Sequence, residues 1–229
     1  MNQLNVTMNR KERIFGFFYL ALQLLALPFI LALCDWFFNL RLSDAELNFV
    51  FFAINFICVT IIFRRFIIQN AKIALQKIPS VLITAGAAYV LYIITSTIVT
   101  TCILLGYPAF YNVNNSYVSE MVENRYSLMF IGTVLLVPIT EELLYRGLIF
   151  SNLYNKNRFL AFIVSTLAFA VLHVYGYIGT YPPLHLLCCL LQYLPAGIWL
   201  AWAYAKTNSI LTPVLIHMFI NYSAVLAMR

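Results

Sequence analysis

The sequence predicts an all-α fold, a polytopic helical membrane bundle with about seven transmembrane helices, or eight if one is broken or interfacial. Three observations predict it. First, 63% of the 229 residues are hydrophobic and only 10% are charged, where a soluble domain carries about 25% charged residues. Second, the mean hydropathy is +0.87. Third, the apolar residues gather into seven runs, each near the roughly 20 residues that a spanning helix needs. So little polar surface cannot coat a water-soluble globule. The composition excludes a disordered chain, a secreted disulfide scaffold and an ordinary cytosolic enzyme.

The runs are 14–34, 47–68, 79–106, 127–150, 159–178, 184–205 and 210–228. The first contains Leu31-Ala32-Leu33-Cys34, which has a faint likeness to a lipoprotein cleavage site. The bulky Leu33 and the length of the run favour an uncleaved span. The other cysteines, Cys58, Cys102, Cys188 and Cys189, also lie in or beside apolar runs with no CxxC spacing, as packing residues do. The hydrophilic stretch 107–126 reads as an external loop with an interfacial turn. No repeat or soluble linker interrupts the chain. It divides into 1–126, N-terminal helices and external loop, and 127–229, the core that carries the motifs, within one continuous membrane domain.

Loop charges predict orientation. Arg10, Lys11 and Arg13 precede the first run, and Arg64, Arg65, Lys72 and Lys77 follow the second. Lys156 and Arg158 follow the fourth, and Lys206 follows the sixth. The alternate loops carry Asp35, Asp44, Glu46, Glu120 and Glu123, with Arg41 and Arg125 as their bases. Lys/Arg-rich loops stay cytoplasmic, which puts the N-terminus inside and the C-terminus outside. The net charge of +6 follows from these juxtamembrane bases, so no nucleic-acid partner is expected.

Three charges fall outside this pattern: Glu141, Glu142 and Arg146 in Val137-Pro138-Ile139-Thr140-Glu141-Glu142-Leu143-Leu144-Tyr145-Arg146-Gly147. An acid deep in a membrane helix costs at least about 2.5–3.5 kcal/mol and faces a bundle interior or wet cavity. Glu142 and Arg146 are four apart and can pair on one helix face, which alone would be a structural staple. Glu141 points about 100° away, with no cation on its own helix. Pro138 loosens the helix one turn earlier. Phe169 and His173 share a face of the next span, and His217 and Asn221 share a face of the last. Either pair could simply glue helices together. His185, after Pro182-Pro183, reads as interfacial with no role. Jointly, an acid, two imidazoles and an amide are the parts for activating water and holding an oxyanion. GxSxG and HExxH are absent.

Glu141-Glu142-x-x-x-Arg146, Phe169-x-x-x-His173 and His217-x-x-x-Asn221 follow one another on successive runs. In that order they resemble the CPBP family, the glutamate-type CAAX prenyl endopeptidases with the bacteriocin-processing and self-immunity proteins of the Abi group. The likeness runs from Val137 to Asn221. It implies an intramembrane endopeptidase acting on a membrane-associated peptide or protein. Glu141 and His173 would activate water, His217 and Asn221 would hold the oxyanion, and Glu142 and Arg146 would support the site. No cofactor is expected. The alternative is zinc on Glu141, His173 and His217. Two non-enzymatic readings stand beside the protease: a regulatory or self-immunity protein acting by binding, and a small transporter with a proton relay. The second lacks the expected paired repeats.

Short loops without organelle signals point to a multi-pass bacterial plasma-membrane protein, with the lipid bilayer as its surroundings. A water-filled cavity open toward the cytoplasm should hold Glu141, His173, His217 and Asn221. Depth raises one conflict. If the fifth run starts at Phe159, His173 lies about 20 Å from its cytoplasmic end, a turn or more deeper than Glu141. The stretch after Arg146 should then be a separate interfacial helix, or the next span should start later.

Overall fold

A computed structural model describes residues 3–229. It is a bundle of ten helices: α1 (Arg10–Leu25), α2 (Leu27–Phe38), α3 (Asp44–Ile62), α4 (Arg64–Gln76), α5 (Ile78–Gly106), α6 (Val113–Asn124), α7 (Tyr126–Tyr154), α8 (Arg158–Leu172), α9 (Pro183–Thr207) and α10 (Leu211–Ala227). Helices α3, α5, α7 and α9 are each long and apolar enough to cross a membrane. Helices α1 and α2 are long and apolar enough only when taken together, as a pair bent by 52°. Helices α8 and α10, with 15 and 17 residues, are shorter apolar helices, so each of the seven runs has a helical counterpart.

The bend falls at Ala26, just before Pro28 in the first turn of α2. Proline supplies no backbone donor there, so the helix can restart at a new angle. Two polar-faced helices refine the sequence reading. Helix α4 buries Phe66, Asn70 and Ala74 along one stripe and separates the second run from the third. Helix α6 turns the external loop into a 12-residue helix, capped by the Asn112 side chain accepting from the Asn115 amide at 3.1 Å. A polar loop of this length contains enough capping and helix-compatible residues to fold once its Val113 and Val122 find a core.

The two ends of the bundle are chemically distinct. At one, the Leu4 amide donates to Asn155 Oδ1 at 2.9 Å and the Asn5 amide to Asn208 Oδ1 at 2.7 Å. Arg13 Nη1 donates to Asn152 Oδ1 at 3.0 Å. Buried Glu12 accepts from the Phe66 amide at 3.0 Å and so ties α1 to α4. The ten bases assigned to the cytoplasm cluster in these segments. At the other end Arg125 pairs with Glu46 at 3.2 Å, and the Arg229 guanidinium lies over the Tyr126 ring at 5.1 Å. The described termini therefore lie at opposite ends of the bundle.

Helix α9 is central and packs against α5, α8 and α10. Its close approach to α8 occurs at Gly197, where a Cβ would stand 2.6 Å from Thr166 Cγ2. Helix α7 carries two stretches of wider π-type bonding, Ile131–Leu136 and Leu143–Phe150, on either side of the two glutamates. Such widened turns are frequent at functional sites. The Ser165 hydroxyl donates to the Tyr145 carbonyl at 3.0 Å, joining α8 to the second of these stretches.

The depth conflict disappears for a different reason from either expected one. Helix α7 runs unbroken to Tyr154, one turn beyond the apolar run, and α8 starts at Arg158 rather than later. Glu141 is then 13 residues from the basic end of α7 and His173 is 15 from that of α8, about 20 and 22 Å along the axes. His217 is only about 9 Å along α10, because the α9–α10 connection is itself sunk into the bundle. Thr207, Ser209, Ile210 and Thr212 are buried. The Ile210 amide is satisfied by Asn70 Oδ1 of α4 at 3.1 Å.

Candidate active site

The two adjacent glutamates face different surroundings, as a 100° step between neighbours requires. Glu142 is wholly buried. Its Oε1 accepts from Arg146 Nη1 at 2.9 Å and from His217 Nδ1 at 2.9 Å. Arg146, also wholly buried, donates through Nη2 to the Gly197 carbonyl at 3.2 Å. Its guanidinium stacks over the Phe169 ring, 4.6 Å from the centroid. A buried charge is tolerated when paired and hydrogen-bonded in this way. Glu142 and Arg146 thus join α7 to α9 and α10.

Glu141 turns into a cavity of about 1030 Å3. Its Oε2 has no hydrogen-bond partner within the protein and lies 3.9 Å from His217 Nε2. His173 and Asn221 line the same cavity. His173 Nδ1 lies 2.9 Å from the Phe169 carbonyl. A carbonyl only accepts, so in the neutral ring Nδ1 carries the proton and Nε2 offers a lone pair. Asn221 donates one amide hydrogen to the Thr133 carbonyl at 2.8 Å, leaving its second N–H available. His217 is held behind Glu141, with a side chain only 4% exposed.

Phe169 explains why an aromatic stands four residues before His173. Its ring packs edge-on to Tyr145 at 6.0 Å and to His217 at 5.6 Å, and against His173 at 4.8 Å, while receiving Arg146. One side chain thereby sets the separation of three polar groups.

The six candidate residues are thus brought together, with two corrections. Three of the four expected cavity residues line it, and His217 does not. The cavity also opens at the end opposite the Lys/Arg clusters, between Leu42, Asp44 and Asn48 at the start of α3, α6, Tyr175, Tyr177 and Met228. The orientation expected from loop charge does not let it face the cytoplasm. The expected opening rested on residue counts from helix ends, and α10 starts too deep for that count. Among the described residues no group of three His, Cys, Asp or Glu side chains could hold a metal ion. His217 Nδ1 donates to Glu142 and His173 Nδ1 to the Phe169 carbonyl, so each ring keeps its Nε2 lone pair.

Tyr193 was not foreseen. Its ring stacks on His173 with centroids 4.1 Å apart. Its hydroxyl lies 3.1 Å from Asn112 Oδ1 and 3.2 Å from Asn115 Oδ1, and it accepts from Asn114 Nδ2 at 3.1 Å. The polar pair Gln192-Tyr193 within the apolar run was the available signal, since Gln192 also bonds Asn112 and Thr100. The carbonyls of Gly197 and Thr133 carry no signal in a sequence. His185, expected to be interfacial, is instead buried and boxed by Tyr107, Phe110, Tyr111 and Tyr181.

Residues 123–223 match the family described as Rce1-like, the type II CAAX prenyl endopeptidases. The matched stretch is less than half of the chain. It contains every motif residue named above and most of α7 through α10. The chain is also 34% identical over 95 residues to the "Putative membrane peptidase YdiL" of Bacillus subtilis, a match covering 41% of this chain and 34% of that one. It is 33% identical over 87 residues to the UPF0177 protein YxdF of Lactococcus lactis, covering 38% of this chain and 42% of that one. The matches thus span less than half the length of these relatives. No solved structure matches.

Proposed function

We propose that the protein is an intramembrane endopeptidase that hydrolyses a peptide bond of a membrane-associated peptide or protein with water activated by Glu141 and His173. The observation that carries this is the division of labour between the two glutamates. Glu142 Oε1 is taken by Arg146 and His217, and its unpartnered Oε2 lies buried outside the cavity lining. Glu141 is left with a free carboxylate oxygen in a cavity that His173 and Asn221 also line.

Water held between Glu141 and His173 Nε2 attacks the carbonyl carbon, and one of these groups takes its proton. The carbonyl oxygen becomes an oxyanion, to which Asn221 presents its remaining N–H. His217 can donate from Nε2 only as the imidazolium, because its Nδ1–H is directed at Glu142. Collapse breaks the C–N bond, and the stored proton passes to the departing amine. Atoms balance as one water consumed, one carboxylate and one amine released. Proton storage, oxyanion binding and positioning all fall to Glu141, His173, Asn221, Glu142 and Arg146.

The test is hydrolysis of a peptide library by the reconstituted protein, with Glu141→Ala and His173→Ala as controls, beside proteomics of membrane-released peptides in cells carrying each form. Peptides released by the parent and lost in both variants are expected. Full activity in both variants would sink the proposal.

A further inference from the structure

The cavity's sidedness and charge reach beyond the reaction to its substrate. The charged side chains lining it are Asp44, Glu120, Glu141 and Arg125. Arg125 is already paired with Glu46 at 3.2 Å, so its charge is answered from outside the lining. Asp44 and Glu120 are exposed at the mouth and Glu141 lies at the floor. The rest of the wall is neutral: Asn48, Asn114, Asn124, Tyr117, Tyr175 and Tyr177 among its polar members. A cleft lined by one sign of charge between low-dielectric walls concentrates the opposite sign and repels its own. Of the other cations, Arg229 lies over the Tyr126 ring at this end and Arg146 is buried against Glu142, and neither lines the cavity. A free C-terminal carboxylate entering here would meet three acids and no unpaired base in the lining. The mouth also lies at the end away from Arg10, Lys11, Arg64, Arg65, Lys156 and Lys206, which the positive-inside rule places in the cytoplasm.

We infer that the site takes its peptide from the extracytoplasmic face, and that the segment lying in the cavity is neutral or cationic and carries no carboxylate beside the cleaved bond. The substrate half of this rests on the protease reading above; the sidedness and the charge selectivity do not.

The two are tested separately. With the five native cysteines replaced by alanine, a single cysteine is introduced as Leu172→Cys or, independently, Val118→Cys, both lining positions outside the catalytic groups. Membrane-impermeant cationic and anionic methanethiosulfonates of similar size are added to right-side-out cells and to inside-out vesicles. Reaction is expected in the right-side-out preparation, with the cationic reagent ahead by about tenfold after correction by a small free thiol. Asp44→Asn with Glu120→Gln should bring the ratio back toward that of the free thiol. Labelling confined to inside-out vesicles, or a ratio that favours the anion or equals the free thiol, overturns the inference. A pair of quenched peptides differing only in Lys or Glu beside the scissile bond reads the substrate half, with the Lys peptide cut about tenfold faster. Equal or reversed rates overturn that half. If neither is cut in a Glu141-dependent way, the protease reading falls, and the labelling ratio still decides sidedness and charge.

Discussion

Glu142 Oε1 stands 2.9 Å from His217 Nδ1 and, at the same distance, from Arg146 Nη1. One buried carboxylate oxygen therefore fixes both the imidazole of the last helix and the guanidinium of its own. The neighbouring acid makes no hydrogen bond in the protein and only faces His217 Nε2 at 3.9 Å. Mutating the two glutamates should separate stability from chemistry. Glu142→Gln strands a buried guanidinium, and removing one partner of a buried pair costs about 3–5 kcal/mol. A large fall in the thermal midpoint in detergent is expected. Glu141→Gln removes a carboxylate that bonds nothing in the protein. It should leave the midpoint unchanged or higher while lowering hydrolysis by about 10²–10⁴-fold. Equal destabilisation by both changes would show that the division of roles is wrong.

Tyr193 couples the outer helix to the site. Its ring lies on His173 and its hydroxyl meets the Asn112, Asn114 and Asn115 side chains of α6 and its cap. Tyr193→Phe keeps the stack and cuts the tether. Amide hydrogen exchange over 112–124 should then accelerate, KM should rise, and kcat should change less than about tenfold, since each lost bond is worth about 0.5–1.5 kcal/mol. Tyr193→Leu also removes the stacked ring and should lower kcat further. Unchanged exchange in Tyr193→Phe would remove the tether from the account.

Which parts of this site could be read in the chain depends on separation along it. Glu142 and Arg146 are four apart on one helix, so their pairing follows from helical geometry. The contact between Glu142 and His217 spans 75 residues, and local spacing says nothing about it. Only the likeness to a known set of motifs placed the three segments together. Tyr193 escaped notice because one tyrosine in an apolar run has no periodic signature. The end of α7 was misjudged because Ser151, Asn152 and Asn155 are polar. In the fold Asn152 and Asn155 stay helical or adjacent to it by bonding Arg13 and the Leu4 backbone. The direction of the cavity was lost for a related reason: the buried start of α10 rests on Asn70, a residue of a different helix.

Asn70 therefore offers a second structural test. It is fully buried, accepts from the Ile210 amide at 3.1 Å and donates to the Phe66 carbonyl at 3.1 Å. Asn70→Leu leaves the Ile210 N–H buried without an acceptor, a loss of about 1–3 kcal/mol. Because that amide opens α10, the helix that carries His217 and Asn221 should lose its anchorage too. Hydrogen exchange should rise at 209–213 in Asn70→Leu, and activity should fall with kcat rather than KM. An Asn70→Asp variant retains an acceptor and should recover most of the exchange protection. If Asn70→Leu left both exchange and kcat at parent values, α10 would not depend on this anchor.

Gly197 brings α9 into close contact with α8. A methyl added there would lie 2.6 Å from Thr166 Cγ2 and 3.1 Å from Thr166 Cα. The second atom is backbone, so side-chain rotation cannot relieve the contact and the helices must separate. The Gly197 carbonyl also accepts from Arg146, so separation lengthens a bond to the buried cation. Gly197→Ala should cost about 1–3 kcal/mol, as overpacking in a filled interior does. It should also lower activity by displacing α8, which carries Phe169 and His173, away from Arg146. Thr166→Ser removes the offending methyl and leaves the Cα in place. Combined with Gly197→Ala it should restore part of the thermal midpoint, giving a non-additive pair in a double-mutant cycle. Strict additivity would place the cost of Gly197→Ala elsewhere than at this contact.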